Sequence, residues 1–374
     1  MNFELTEEQQ MVADSIERFV QENYALETRT SIVAKDPGFS KDYWKTMAEL
    51  GWFGLPFSEE DGGFGGNQID TMVLMEQFGK GLVVEPFLAS VVMAGGALKR
   101  AANAEQKKAY LEGIIDGSKQ LALAYMEVES GDEPRYVAVA GTEADGGYQI
   151  SGTKCMVLHG ATADAFVVSF RTSGGTVDEN GITLAVIPAD REGLTVNGFP
   201  TVDGLQSSEL TFDKVTVTKD DILGEVDNGF EALNGAINDG ILAVAAEAVG
   251  AMEVLYKDTV AYTQERVQFD HPMSDFQVLQ HRMVDMFVEY ETCKSMLLRA
   301  TMKAAVNAED TQANIHALKH LIGKAGIFVG ENAVQTHGGM GVTEELRVGH
   351  YFKRLIVIEA QLGSTDYHLE QFAA

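Results

Sequence analysis

Cysteine is nearly missing from this 374-residue chain: Cys155 and Cys293 are the only two, and no CxxC pair occurs. Neither a disulfide framework nor a structural zinc site is expected, and no metal centre is predicted. Basic residues are scarce as well, 28 Lys and Arg against 56 Asp and Glu, for a formal net charge of -28. A field of that sign repels phosphate backbones and anionic bilayers, so no nucleic acid and no membrane is expected as a partner. An anionic small ligand is still admissible, because a few local cations decide its binding. Long hydrophobic runs are missing too. The longest uncharged apolar stretch, Pro86 to Leu98, falls short of the ~20 residues that span a bilayer. The opening MNFELTEEQQ is acidic and helical in pattern, unlike a secretory leader, and the expected compartment is the cytoplasm. No internal repeat or low-complexity segment is found.

What the chain does have is a 45% apolar composition, enough for a substantial core and for two or three domains. The first third reads as helices. Thr6 with Gln9 forms a capping box before Val12, Ile16, Phe19 and Val20 on one helical face. SKDYWKTMAELG repeats the pattern with Trp44, Met47 and Leu50, and Gly51 stands where a helix stops. The loop EEDGGFGGNQID is glycine-rich but lacks P-loop spacing and carries four acids, so it reads as a connection.

From Leu121 the character changes to short β-rich runs, LALAYMEV, DAFVVSFRT, ITLAVIPA and SSELTFDKVTV among them, separated by Gly, Asp and Asn turns. They predict a compact β-barrel or sandwich. After DNGFEALNG the chain is helical again: Ile237, Ile241, Val244, Ala248 and Met252 recur at helical spacing, and Gln277–Lys303 and Ala313–Gln335 follow as long helices. Such helices with short joints predict a bundle. The expected domains are 1–119, 120–228 and 229–374, an α+β chain.

Two local patterns bear on chemistry. In YTQERVQFDHPMSDFQ, Arg266, Phe269 and Gln277 surround a helix–turn–helix joint and suit a phosphate, a flat ring and a polar edge. On that stretch alone a surface Arg with a core Phe is the better account. In QTHGGMG, Gln335 closes a helix, and Gly338, Gly339 and Gly341 let backbone approach something large, or simply end the helix.

Together with the α–β–α order, these two patterns make the whole chain resemble the acyl-CoA dehydrogenase family. RVQFDHPMSDFQ is similar to the family's R-x-x-F-G followed by Q, and QTHGGMG to Q-x-x-G-G-x-G. Within the family the chain is most similar to small subunits of pimeloyl-CoA dehydrogenase type, through AAEAVGAMEVL, FQVLQHRMVDMF, KCMVLHGATAD and HYFKRL. The resemblance implies an N-terminal α domain, a middle β-barrel domain and a C-terminal four-helix bundle. It implies FAD as cofactor, with Arg266, Phe269, Gln277, Gln335, Gly338 and Gly339 around the dinucleotide of a neighbouring subunit, and Ser364 and Asp366 in a flavin-contacting turn. It also implies an acyl-CoA substrate and an electron-transfer acceptor protein.

The departures fall on the reaction. The family removes an α-proton from an acyl-CoA with a carboxylate while a β-hydride goes to flavin. Aligning LGSTDY with the family's G-T-S-E places Leu362 at the base position, and a second family position falls on Gly240. Neither accepts a proton. Asp239 beside Gly240 is the candidate catalytic base, although one residue is about 100° of helix rotation; Glu247 and Glu359 suit structural roles better. His159 could meet the flavin edge or simply hold a structural hydrogen bond. The ring-covering T-E-P and W-I-T/S segments match Met126, Glu127 and Val128, then Met156 and Leu158, and Asp270 replaces the glycine after Phe269. The expected function is therefore the base-lacking small subunit of a heteromeric dehydrogenase, an α2β2 assembly with a second acyl-CoA dehydrogenase subunit, acting on a bulky or ω-carboxylated acyl-CoA such as a dicarboxylic acid or steroid side chain. A self-sufficient homo-oligomer with a displaced base and a flavin-free structural relative are the alternatives.

Overall fold

The structure, a computed structural model, describes residues 5–374; the first four residues of the predicted N-terminal helical stretch lie outside them. In chain order the helices are α1 (Glu7–Asn23), α2 (Leu26–Val33), α3 (Lys41–Glu49), α4 (Gln68–Gly81), α5 (Gly95–Ala101), α6 (Ala104–Gln106), α7 (Glu112–Ile115), α8 (Phe230–Glu265), α9 (Gln277–Ala305), α10 (Thr311–His337), α11 (Arg347–Ala360) and α12 (Thr365–Ala373). The strands are β1 (Leu121–Ala124), β2 (Ala140–Ala144), β3 (Gly147–Leu158), β4 (Ala165–Arg171), β5 (Ile182–Pro188), β6 (Leu194–Pro200), β7 (Gln206–Thr218) and β8 (Ile222–Leu223), with a short pair β9 (Val267–Gln268) and β10 (His271–Pro272). A π-helical segment, Phe87–Ala94, leads into α5. No helix of the described residues is long and apolar enough to cross a membrane.

The chain forms two compact units that do not follow chain order. Among the described residues, one gathers 5–32, 68–83 and 241–374; the other holds 33–67 and 84–240.

The first unit is helical. The predicted capping box starts α1, with Thr6 Oγ1 accepting from Gln9 N–H at 3.2 Å and Gln9 Oε1 accepting from Thr6 N–H at 3.1 Å. Helices α4 and α8 cross in backbone contact. A Cβ at Gly79 would lie 1.9 Å from the carbonyl oxygen of Glu247, and one at Gly250 would lie 2.0 Å from that of Glu76. No side chain fits at either position, so these two glycines set the crossing. Helix α10, expected as a long helix over Ala313–Gln335, carries Ile315, Leu318, Ile322, Ala325 and Val329 into the core.

The second unit is built on an eight-stranded sheet in the order β6-β7-β3-β2-β4-β5-β8, with β1 parallel to β4. Strand β4, AFVVSFR, is buried along its whole length, as a strand covered on both faces must be. Around it Phe166, Val168, Phe170, Ile150, Leu210 and Phe212 form the core. One ion pair sits inside this unit. Lys154, fully buried, donates to Glu127 Oε1 at 2.7 Å, to the Tyr125 carbonyl at 3.0 Å and to Ser169 Oγ at 3.1 Å. The Glu127 carboxylate also accepts from the backbone N–H groups of Ala138 and Val139. Burial pushes the Lys154 ammonium down to about 8, and the Glu127 charge opposes that shift.

Candidate flavin site

Helix α8 ends at Glu265, and the next eleven residues form the joint to α9. Val267 pairs with Pro272 and Gln268 with His271, leaving Phe269 and Asp270 as the turn, with φ of +54° and +65°. Two consecutive left-handed residues make the tight hairpin turn that normally favours Asn and Gly. Asp tolerates that conformation through its short polar side chain, so Asp270 in place of glycine leaves the hairpin intact. Phe269 is 86% exposed at the tip; the bland expectation of a core phenylalanine does not hold. Arg266 and Gln277, the first residue of α9, are exposed as well.

The second motif lies beside the first. Tyr262, one turn before Arg266, stacks on His337 with ring centroids 4.3 Å apart, and His337 directly precedes Gly338. Gly338 has φ of +63° and ψ of -141°, a conformation costly for residues with a Cβ. A Cβ at Gly338 or at Gly339 would meet nothing within 4 Å. Within this chain neither glycine is required by packing, so the open backbone there is available to a group outside the chain. An exposed cation, an exposed ring and an open glycine backbone, joined through one aromatic stack, are the donors a pyrophosphate-linked dinucleotide needs. They fit FAD. Gln335 is exposed on the last turn of α10.

Ser364 and Asp366 are not part of this cluster. Ser364 is the N-cap of α12, its Oγ accepting from Tyr367 N–H at 3.3 Å, and Asp366 stands in the first turn. Between them, Thr365 lies against Gly323 of α10, twelve residues before Gln335, or about 18 Å along the helix. The two sets of flavin candidates therefore occupy opposite reaches of α10.

The candidate base Asp239, and Glu247 and Glu359, all have other partners. Asp239 Oδ2 lies 2.8 Å from Arg100 Nη1 and 3.4 Å from Lys99 Nζ. Glu247 is gripped by Arg354, and Glu359 Oε1 accepts from Thr365 N–H at 3.1 Å. Leu362, where the family resemblance leads one to expect the base, is 6% exposed and left-handed, with φ of +61°. In the β unit, Met156 is left-handed at an irregularity of the β3–β7 pairing and 42% exposed. Val128 is exposed too, whereas Glu127 is turned inward to Lys154. Leu158 is half-buried, and His159 packs edge-on to Phe39 with ring centroids 6.2 Å apart.

Glu85 is a titratable group that sequence reasoning passed over. It is 5% exposed, its Oε1 accepts from Ser40 N–H at 3.1 Å, and burial pushes its carboxyl up to about 7. Its one sequence signal is position: the sole acid between Val83–Val84 and the uncharged run that begins at Pro86.

Comparison with known proteins gives the family. Models of the acyl-CoA dehydrogenase N-terminal, middle and C-terminal domains match residues 6–118, 122–215 and 227–374. The chain belongs to the acyl-CoA dehydrogenase family. It is 28% identical over 371 residues to the probable acyl-CoA dehydrogenase YngJ of Bacillus subtilis, covering 98% of this chain and 97% of that one. Among solved structures, PigA with FAD and proline superposes with a TM-score of 0.92 at 26% identity, over 100% of this chain and 98% of that one. The ChsE4–ChsE5 complex of Mycobacterium tuberculosis superposes with a TM-score of 0.91 at 24% identity, over 100% and 98%, a likeness of fold. Members of the family are FAD-dependent oxidoreductases acting on CH–CH bonds, and FAD is the cofactor of this acyl-CoA dehydrogenase.

Proposed function

We propose that this acyl-CoA dehydrogenase is the base-lacking small subunit of a hetero-oligomer, an α2β2 assembly with a second family member that keeps its glutamate. The observation that carries this reading is Leu362, a buried aliphatic side chain where the family holds its general base. Exposed apolar groups support a subunit contact beside the dinucleotide motifs: Phe269 at the hairpin tip, and Val278, Val284, Phe287 and Val288 along α9. The heteromeric ChsE4–ChsE5 complex has the same fold.

In this reading Arg266 holds pyrophosphate, Gln277 and the Gly338–Gly339 backbone position the dinucleotide, and the partner supplies the carboxylate that removes the α-proton. FAD supplies the acceptor for the β-hydride. The substrate is a bulky or ω-carboxylated acyl-CoA, and electrons leave to an electron-transfer protein. Purified alone, the chain should give negligible acyl-CoA dehydrogenation even with added FAD, since losing a general base costs about 10²–10⁴-fold. Activity should appear on adding the partner and vanish when the partner's glutamate becomes glutamine, while Asp239→Asn here stays within a few-fold of wild type. Turnover by the chain alone would overturn the proposal.

Glu85 favours a second reading, a self-sufficient enzyme with a displaced base, because a dry carboxyl raised to about 7 is what α-proton abstraction requires. In that case the chain alone is active and Glu85→Gln abolishes turnover with the fold intact.

A further inference from the structure

The turn at Leu362 is held by a line of side chains that starts at the surface of α10. Gln312, exposed, lies with Nε2 3.0 Å from His316 Nε2. His316 Nδ1 lies 2.8 Å from His368 Nδ1, and His368 Nε2 lies 2.9 Å from the Leu362 carbonyl oxygen. Both imidazoles are buried, His368 almost completely.

These contacts leave one arrangement of protons for a neutral pair. A carbonyl oxygen only accepts, so His368 carries its proton on Nε2 and offers Nδ1 as an acceptor. His316 therefore donates from Nδ1, and its Nε2 accepts from the Gln312 amide. A first added proton can be absorbed on His316 Nε2 if the Gln312 amide turns its oxygen inward. A second cannot, because two N–H groups would then face each other across 2.8 Å.

We propose that His316 and His368 form a proton-counting latch that holds the Leu362–Asp366 turn while the pair carries at most one added proton and releases the turn when it takes up two. The turn is conformationally costly: Leu362 at φ +61° is followed by Gly363 at +100°. Other polar and charged groups also face the turn. From α10, Lys319 Nζ donates to the Gly363 carbonyl at 2.7 Å and His320 Nδ1 lies 3.1 Å from the Thr365 carbonyl; from α11, Glu359 accepts from Thr365 N–H. On α12, Tyr367 lies edge-on to both rings. Burial holds the His316 imidazole below its usual range. A base whose folded value is depressed gives stability that is present above the unfolded value of about 6.5 and is lost as pH falls. Release therefore lies on the acid side of pH 6.5. If the turn meets flavin, as the family resemblance implies, release would loosen that contact; the latch itself is tested without flavin.

The test is amide hydrogen exchange of residues 362–368 in the full chain from pH 5 to 8, corrected for intrinsic rates, with ¹⁵N shifts of the histidines. We expect the wild type to keep its protection at neutral pH and to lose it by more than tenfold per pH unit in acid, the signature of more than one proton. His368 should carry its proton on Nε2 and His316 on Nδ1. His368→Gln keeps a donor for Leu362 but cannot titrate, so its protection should no longer fall in acid. Corrected protection that is flat with pH in the wild type, the same acid release in His368→Gln, or a His368 proton on Nδ1 would each overturn the proposal. Should His368→Gln not fold, the wild-type profile and shifts decide alone.

Discussion

Arg354 grips both oxygens of the Glu247 carboxylate, Nε to Oε1 at 2.5 Å and Nη2 to Oε2 at 2.7 Å, with both side chains buried in the helical unit. A carboxylate so committed is a structural partner, and its loss strands a buried guanidinium. Glu247→Gln should destabilise the fold by about 3–5 kcal/mol, read from urea unfolding. The double variant Glu247→Leu/Arg354→Leu should recover most of that. Where Glu247→Gln remains folded, activity of the assembled enzyme should stay within a few-fold of wild type.

Arg266 carries its charge outside the folded chain, beside a hairpin whose tip is bare. A charge-assisted bond to pyrophosphate is worth about 1.5–3 kcal/mol. Arg266→Ala should weaken FAD binding by about one to two decades with an unchanged melting temperature. Flavin titration of the assembled variant checks this.

Gly339 separates packing from binding. Because a Cβ there meets nothing within 4 Å, Gly339→Leu should leave stability within about 0.5 kcal/mol of wild type. The same side chain would fill the space kept for the dinucleotide, so flavin stoichiometry should fall. A variant that retains full flavin would place the dinucleotide elsewhere.

Glu85 sets a pH dependence of stability. Its folded value of about 7 lies above the ordinary value of 4.5, so the neutral form is favoured by folding. That stability is fully present below about 4.5 and is lost as pH rises through 7. Glu85→Gln, which keeps an acceptor for Ser40, should match wild type near pH 4 and exceed it by up to about 3 kcal/mol at pH 8. Denaturant midpoints at the two pH values measure it.

Local signals were legible wherever neighbours in sequence are neighbours in space. The Thr6–Gln9 capping box, the 3.6-residue stripe of α10 and the β-branched and aromatic run of β4 each declare their element within a few residues. The hairpin Arg266–Gln277 and the Gly338 turn were legible as motifs for the same reason, since each is a short piece of backbone with an exposed side chain or none. The turn Leu362–Asp366 could be located in sequence as well, because it directly precedes and caps α12.

Tertiary structure decided which groups share an environment. Glu247 and Arg354 are 107 positions apart, His316 and His368 are 52 apart, and Glu85 meets Ser40 across 45. No periodicity or spacing encodes those meetings; the crossing of α4 on α8, the pairing of α10 with α12 and the burial of the segment after α4 create them. Whether a carboxylate is a base, a structural ion or a neutral acid depends on desolvation and on the nearest opposite charge. Both are properties of the folded surroundings, so the residue types came from the sequence and their charge states from the fold.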